Sequence, residues 1–196
     1  MRCFIAIDIG NEIKTALSRL QSQISGQAKD AGVKKSDAKW VRVADIHLTL
    51  KFLGEVGDEK IVEICNIVRQ VTGRHKKFEL DVETVGFFGG KSARVLWVGT
   101  GEGKNKLIEL QTDIEEQLAQ AGWPKEKRRF SGHLTLCRIR NTRAGVKLAE
   151  ISQKYKDFRF GVSFVDSVTV YQSQLTPKGP IYTPLGNYKL TSGKFE

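Results

Sequence analysis

The chain has 196 residues, 40% hydrophobic and 28% charged, with only four prolines: ordinary values for a globular protein, and enough length to bury a core in one domain or two fused lobes. Its net charge of +10, from 32 Lys and Arg against 22 Asp and Glu, points to a polyanionic partner, since phosphates are the commonest multivalent anions in a cell. Three widely spaced cysteines (Cys3, Cys65 and Cys137) argue against a disulfide framework and have no metal-ligand spacing, and no apolar run is long enough for a signal peptide or a membrane span, so a cytoplasmic protein is expected.

Read in chain order, the hydrophobic pattern repeats itself. Arg2 to Ile9 is a short apolar run that reads as a buried strand. Asn11 to about Gly32 carries Ile13, Leu17, Leu20 and Ile24 at helical spacing, with Gly32 as its stop. Lys39 to Val43 is a brief extended segment, and Ile46 to Leu53 a strand ending at Gly54. Asp58 is expected to cap a helix bearing Ile61, Ile64, Cys65 and Val68, and Phe78 to Phe88 alternates as a half-buried strand. The second pass runs from Ala93: a strand over Arg94–Gly99, a helix over Lys104–Ala121, a strand over Phe130–Ile139, a helix over Thr142–Tyr155 and a strand region over Phe158–Tyr171. Each pass is strand, helix, strand, helix, strand. The expected fold class is therefore α/β (α+β) and bilobal, with lobes of roughly 1–90 and 93–172 related by a rough two-fold axis. Pro180 to Leu190 has no counterpart and is expected to add a hairpin strand, with Ser173–Gly179 as its turn. The glycine-rich stretches Gly86–Gly90 and Gly99–Gly103 lack the lysine of a phosphate loop and read as turns.

The third element of each pass carries the same tetrapeptide, His47-Leu48-Thr49-Leu50 and His133-Leu134-Thr135-Leu136. Side chains alternate along a strand, so the leucines face the core, and His47 and Thr49, like His133 and Thr135, face away from it. The same alternation places Lys51 and Cys137 with the histidines and Phe52 with the leucines. Each lobe thus offers one imidazole and one hydroxyl to a shared cleft. A neutral imidazole takes a proton from water, and an imidazolium gives one to a leaving alkoxide. Hydroxyls donate hydrogen bonds to the non-bridging oxygens of a phosphate. A lone histidine on a strand is more often a packed core residue than a catalyst. Two identical copies at matched places, using two of the chain's three histidines, are poorly explained that way.

These motifs resemble those of the two-histidine (2H) phosphoesterase superfamily. Arg2–Ile7, Lys51-Phe52-Leu53-Gly54-Glu55, Cys137-Arg138, Gln172–Leu175 and Gly179–Tyr182 narrow the likeness to its RNA 2′,3′-cyclic phosphodiesterase branch, also called 2′-5′ RNA ligases. The resemblance implies two mainly antiparallel sheets facing a central cleft, with helices outside. It implies hydrolysis of a terminal RNA 2′,3′-cyclic phosphate to a 2′-phosphate, with no metal and no cofactor. His47 would be the proton donor to the leaving 3′ oxygen and His133 the proton acceptor from water. Thr49 and Thr135 would hold phosphate oxygens, joined by a basic residue five positions after the second histidine, Arg138. Strict alternation instead puts Arg138 on the core side, unless a strand end, a bulge or the reach of its side chain returns it. The partner implied is RNA with cyclic phosphate ends, tRNA fragments among them, acted on by a monomer. ATP-independent ligation of tRNA halves and non-catalytic binding of RNA ends are the alternatives.

Outside the motifs, Lys125-Glu126-Lys127-Arg128-Arg129 precedes the second histidine, and Lys34, Lys35, Lys39 and Arg42 precede the first. Both runs can guide an RNA backbone or serve as solvated loops. Phe4 and Trp40 can stack on a base or fill the core. His75 reads as part of a solvated basic turn, and a nucleophilic role for Cys137 has no evident partner base.

Overall fold

A computed structural model describes residues 1–177 and 179–192. Nine strands and four helices follow in the order β1 (Arg2–Asp8), α1 (Asn11–Asp30), β2 (Ala38–Trp40), β3 (His47–Glu55), α2 (Asp58–Thr72), β4 (Phe78–Phe88), β5 (Val95–Thr100), α3 (Lys104–Gln120), β6 (Leu134–Ile139), α4 (Thr142–Ser152), β7 (Arg159–Val165), β8 (Ser167–Thr176) and β9 (Gly179–Lys189). The strands form one antiparallel path, β7-β4-β5-β6-β3-β1-β8-β9, with β2 pairing onto β6. The two expected sheets are the halves of this path. They meet at a single residue pair, Leu48 opposite Leu134, where the two motif strands touch.

The halves do not follow the sequence. The boundary expected between residues 90 and 93 falls between β4 and β5, which are hydrogen-bonded neighbours. Helix α1 follows β1 but packs on α4 and β7 in the other half, while α3 follows β5 but packs on α2 and β3. Strand β8 likewise crosses back to pair with β1.

The helical stripes read from the sequence are the buried ones: Ile13, Leu17, Leu20 and Ile24 on α1, and Leu107, Leu110, Ile114 and Leu118 on α3. These helices end alike. Gly32 and Gly122 adopt positive φ (79° and 96°), Val33 N–H and Trp123 N–H reach back to the carbonyls of Ala28 and Leu118, and Gly32 and Gly122 N–H to those of Lys29 and Ala119. Both are Schellman caps, which glycine adopts without steric cost. Helix α2 differs from expectation at its start. Gly57, not Asp58, is the cap residue, and Asp58 and Glu59 occupy the first turn, where their charge suits the helix dipole.

Strand β6 begins at Leu134 rather than Phe130, and the β8–β9 hairpin is longer than expected. Ser173 to Thr176 pair with Tyr182 to Gly179 in the ladder and do not form a turn. Gly86 lies inside β4, where a Cβ would meet the Trp97 ring at 2.4 Å. The indole rests across the strand there, a close approach that only glycine allows.

Candidate active site

His47 opens β3, and His133 directly precedes β6. Leu48 (1% exposed) and Leu134 (0%) anchor the junction from the core side, so the flanking His47, Thr49, His133 and Thr135, all half-buried, share the opposite face. Beyond the junction pair, the antiparallel register places His47 on the side of Thr135 and His133 on the side of Thr49.

The two imidazoles are held in the same way. His47 Nδ1 lies 2.8 Å from the Asp45 carbonyl oxygen, and His133 Nδ1 lies 2.7 Å from that of Ser131. A carbonyl oxygen only accepts, so each Nδ1 carries a proton and donates it. That fixes the tautomer. In each ring Nε2 is the atom free to take or give a proton.

Their surroundings differ. Phe4 stacks on His47 at 4.7 Å between centroids, with Tyr182 edge-on at 5.2 Å. Phe88 stands edge-on to His133 at 5.0 Å, with Trp97 beyond. Asp8, the cross-strand neighbour of His47, accepts the single Tyr171 hydroxyl proton, which lies between its two carboxylate oxygens at 2.9 and 2.8 Å, and a second hydrogen bond from the Thr169 hydroxyl at 3.2 Å. Burial lowers the pKa of His47 from 6.5, while the Asp45 carbonyl contact and the charges of Asp8 and Asp45 oppose that shift, and Lys14 adds to it. Tyr171 is pushed up to about 12 by burial and its bond to Asp8, so it stays a donor. Removing the Asp8 charge leaves the imidazolium less supported. Asp8→Asn is therefore expected to move the His47 titration, followed by NMR of the ring, to lower pH; an unchanged titration rules Asp8 out as its electrostatic partner.

The strand faces hold for four residues and then invert. In β3, Ile5 lies opposite Lys51 and Ala6 opposite Thr49, leaving Leu50 as an extra residue. In β6, Leu96 lies opposite Cys137 and Trp97 opposite Thr135, leaving Leu136 extra. These bulges correct the alternation. Lys51 is buried, not on the histidine face, and Phe52 is 61% exposed rather than in the core. Cys137 is fully buried and its thiol is pushed up to about 12 by desolvation, which removes it as a nucleophile near neutral pH. Arg138 is exposed, and its charge reaches Tyr182, the residue edge-on to His47. Of the three routes by which Arg138 could return, a bulge is present at Leu136, and Arg138 also lies one residue from the end of β6.

Lys51 forms a buried ion pair with Glu115 at 2.8 Å and donates to the Pro124 carbonyl at 2.6 Å. Glu115 in turn accepts from Glu126 N–H. Together they fasten the base of the exposed run Lys125–Arg129 that leads to His133. Phe4 is 3% exposed and lines His47, and Trp40 packs partly buried on the core. His75 is paired with Asp113 at 3.0 Å, far along the chain from either motif. Asp8, Tyr171, Tyr182, Phe88 and Trp97 have no motif of their own; only Tyr182 lies in a stretch that the family likeness singled out. Among the described residues no cluster of three or more His, Cys, Asp or Glu is placed to hold a metal ion, and no helix is long and apolar enough to cross a membrane.

The model of the LigT like phosphoesterase family matches residues 7–97 and 98–182, one motif in each segment. The RNA 2′,3′-cyclic phosphodiesterase of Methanocaldococcus jannaschii is 35% identical over 93% of this chain and 96% of its own. That of Archaeoglobus fulgidus is 36% identical over 94% and 98%. E. coli LigT, solved in complex with 3′-AMP, has a TM-score of 0.78 at 26% identity, covering 97% of this chain and 98% of that one.

Proposed function

Since the chain belongs to the LigT like phosphoesterase family, we propose that it is an RNA 2′,3′-cyclic phosphodiesterase whose reaction is carried by His47 and His133. The observation that supports this most is the pair of imidazoles locked in one tautomer, with both Nε2 atoms free on one face of the strand junction. The curated relatives act on RNA cyclic phosphates, and one solved neighbour holds a mononucleotide.

His133 Nε2 takes a proton from water as the water oxygen bonds to phosphorus. The P–O3′ bond breaks, and the Nε2–H of protonated His47 delivers its proton to the departing 3′ oxygen. Burial disfavours the His47 imidazolium, and the charges of Asp8 and Asp45 oppose that shift and help it hold the proton it donates. Thr49, Thr135 and Arg138 hold the non-bridging oxygens as charge gathers on them. The product is a 2′-phosphate beside a free 3′-hydroxyl. The basic runs at residues 34–42 and 125–129 draw the RNA backbone to the cleft from both sides.

The decisive assay presents an oligoribonucleotide ending in a 2′,3′-cyclic phosphate, with EDTA present. Conversion to the 2′-phosphate is expected. Unchanged substrate at high enzyme, or a 3′-phosphate product, overturns the reading, and a joined product from added 5′-hydroxyl RNA would mark ligation as the dominant reaction.

A further inference from the structure

Both bulges have the same support, and it comes from glutamine. A bulge takes one residue out of the ladder, so its backbone is held by contacts made outside the regular pairing. The Leu136 carbonyl receives Val41 N–H at 2.9 Å and Gln21 Nε2 at 3.0 Å, and the same Gln21 amide donates to the Val41 carbonyl at 2.9 Å. In the other half, Gln111 Nε2 lies 3.4 Å from the Leu50 carbonyl. Gln21 (9% exposed) sits in the apolar stripe of α1, and Gln111 (6%) in that of α3. Packing alone would favour an apolar residue at both places, since a buried amide without partners is costly. Each amide instead meets the bulge of a motif strand, and the helix that brings it is the one that crosses from the other half.

We propose that Gln21 is a positioning residue: it latches the β6 bulge and so keeps Arg138 on the histidine face of the cleft. Without the bulge, alternation would turn Cys137 toward the cleft and Arg138 toward the core, where an unpaired guanidinium cannot stay. The strand would then shift or loosen at the residue that holds phosphate. The inference rests on the reading of Arg138 as a phosphate ligand. Gln21 touches no substrate; it acts through Arg138.

The test is a double-mutant cycle in the intact protein, with inorganic phosphate as the probe and affinity measured by calorimetry. Arg138→Ala is expected to weaken phosphate about tenfold, the scale of a lost charge-assisted contact. Gln21→Leu should weaken it several-fold, and the double variant should bind no worse than Arg138→Ala. Equal losses from Gln21→Leu in both backgrounds overturn the latch, because the glutamine then acts independently of the arginine. Gln21→Met, which keeps the length but has no N–H to donate, is read the same way should Gln21→Leu not fold. If Arg138→Ala leaves phosphate affinity unchanged, the phosphate role of Arg138 falls, and the crystal structure of the Gln21 variant decides the latch. Loss of the register shift at Leu136 supports it; an intact bulge with Arg138 still facing the cleft overturns it.

Discussion

His133→Ala is expected to lower kcat on an RNA 2′,3′-cyclic phosphate by about a thousandfold, the scale of a removed general base, while moving the thermal midpoint by about 2 °C or less. The ring is solvent-accessible and, among the described residues, its one polar tie is to the Ser131 carbonyl, so its loss leaves no buried partner stranded. The pH profile should lose the limb that reports the base. His47→Ala should cost a similar factor but behave differently toward leaving groups. A 3′ alkoxide needs a proton as it departs; an aryl oxide does not. An activated aryl phosphodiester should therefore restore much of the activity of His47→Ala and little of that of His133→Ala. Rescue of the His133 variant instead would reverse the two roles, and full activity of either alanine variant on RNA would refute two-histidine catalysis.

The largest effect on stability is expected from splitting the Lys51–Glu115 pair. Lys51 is 3% exposed at its side chain and Glu115 11%, so neither charge can turn to water. Lys51→Met removes the ammonium and leaves the Glu115 carboxylate buried with only the N–H of Glu126 and the amide of Gln111 beside it. Breaking one side of such a pair typically costs about 3–5 kcal/mol, which for a protein of this size lowers the midpoint by roughly 10 °C. Replacing both partners by apolar residues removes the stranded charge, so Lys51→Met with Glu115→Leu should recover most of the loss. A single variant that melts within about 2 °C of wild type would show that the pair contributes little. The double variant carries a second signature. The Pro124 and Glu126 anchors go with the pair, so the basic run at 125–129 loses its fixed base, and affinity for RNA should fall even where stability is recovered.

The core stripes of α1 and α3 and the inward leucines of both motifs were legible in the sequence, because each depends on periodicity within one element. Alternation placed His47, Thr49, His133 and Thr135 together for the same reason. It failed from the fifth residue of each motif, at Lys51, Phe52, Cys137 and Arg138. The cause is a bulge whose supporting donors, Gln111 and Gln21, lie on helices far along the chain. Nothing within Leu-Lys-Phe or Leu-Cys-Arg announces it. Burial of Lys51 was invisible likewise, since its partner Glu115 is distant in sequence. The ring of Asp8, Tyr171 and Tyr182 around His47 arises from the pairing of β1, β8 and β9, which a reading of single segments does not supply.

The crossing of α1 and α3 between the halves bears on how such a site could be assembled from less. A lone copy of the repeat would send its first helix and last strand toward a sheet it does not possess, so its core would close only against a second copy, as in a domain-swapped dimer. Two such copies would be bound to symmetry: any residue beside one histidine would stand beside the other. Joining them in one chain lifts that bond. Asp8 can then stand beside His47 while Gly99 and Thr100 hold the corresponding place beyond Val98 and Leu134, and two rings that began with the same tetrapeptide come to sit in different electrostatic surroundings.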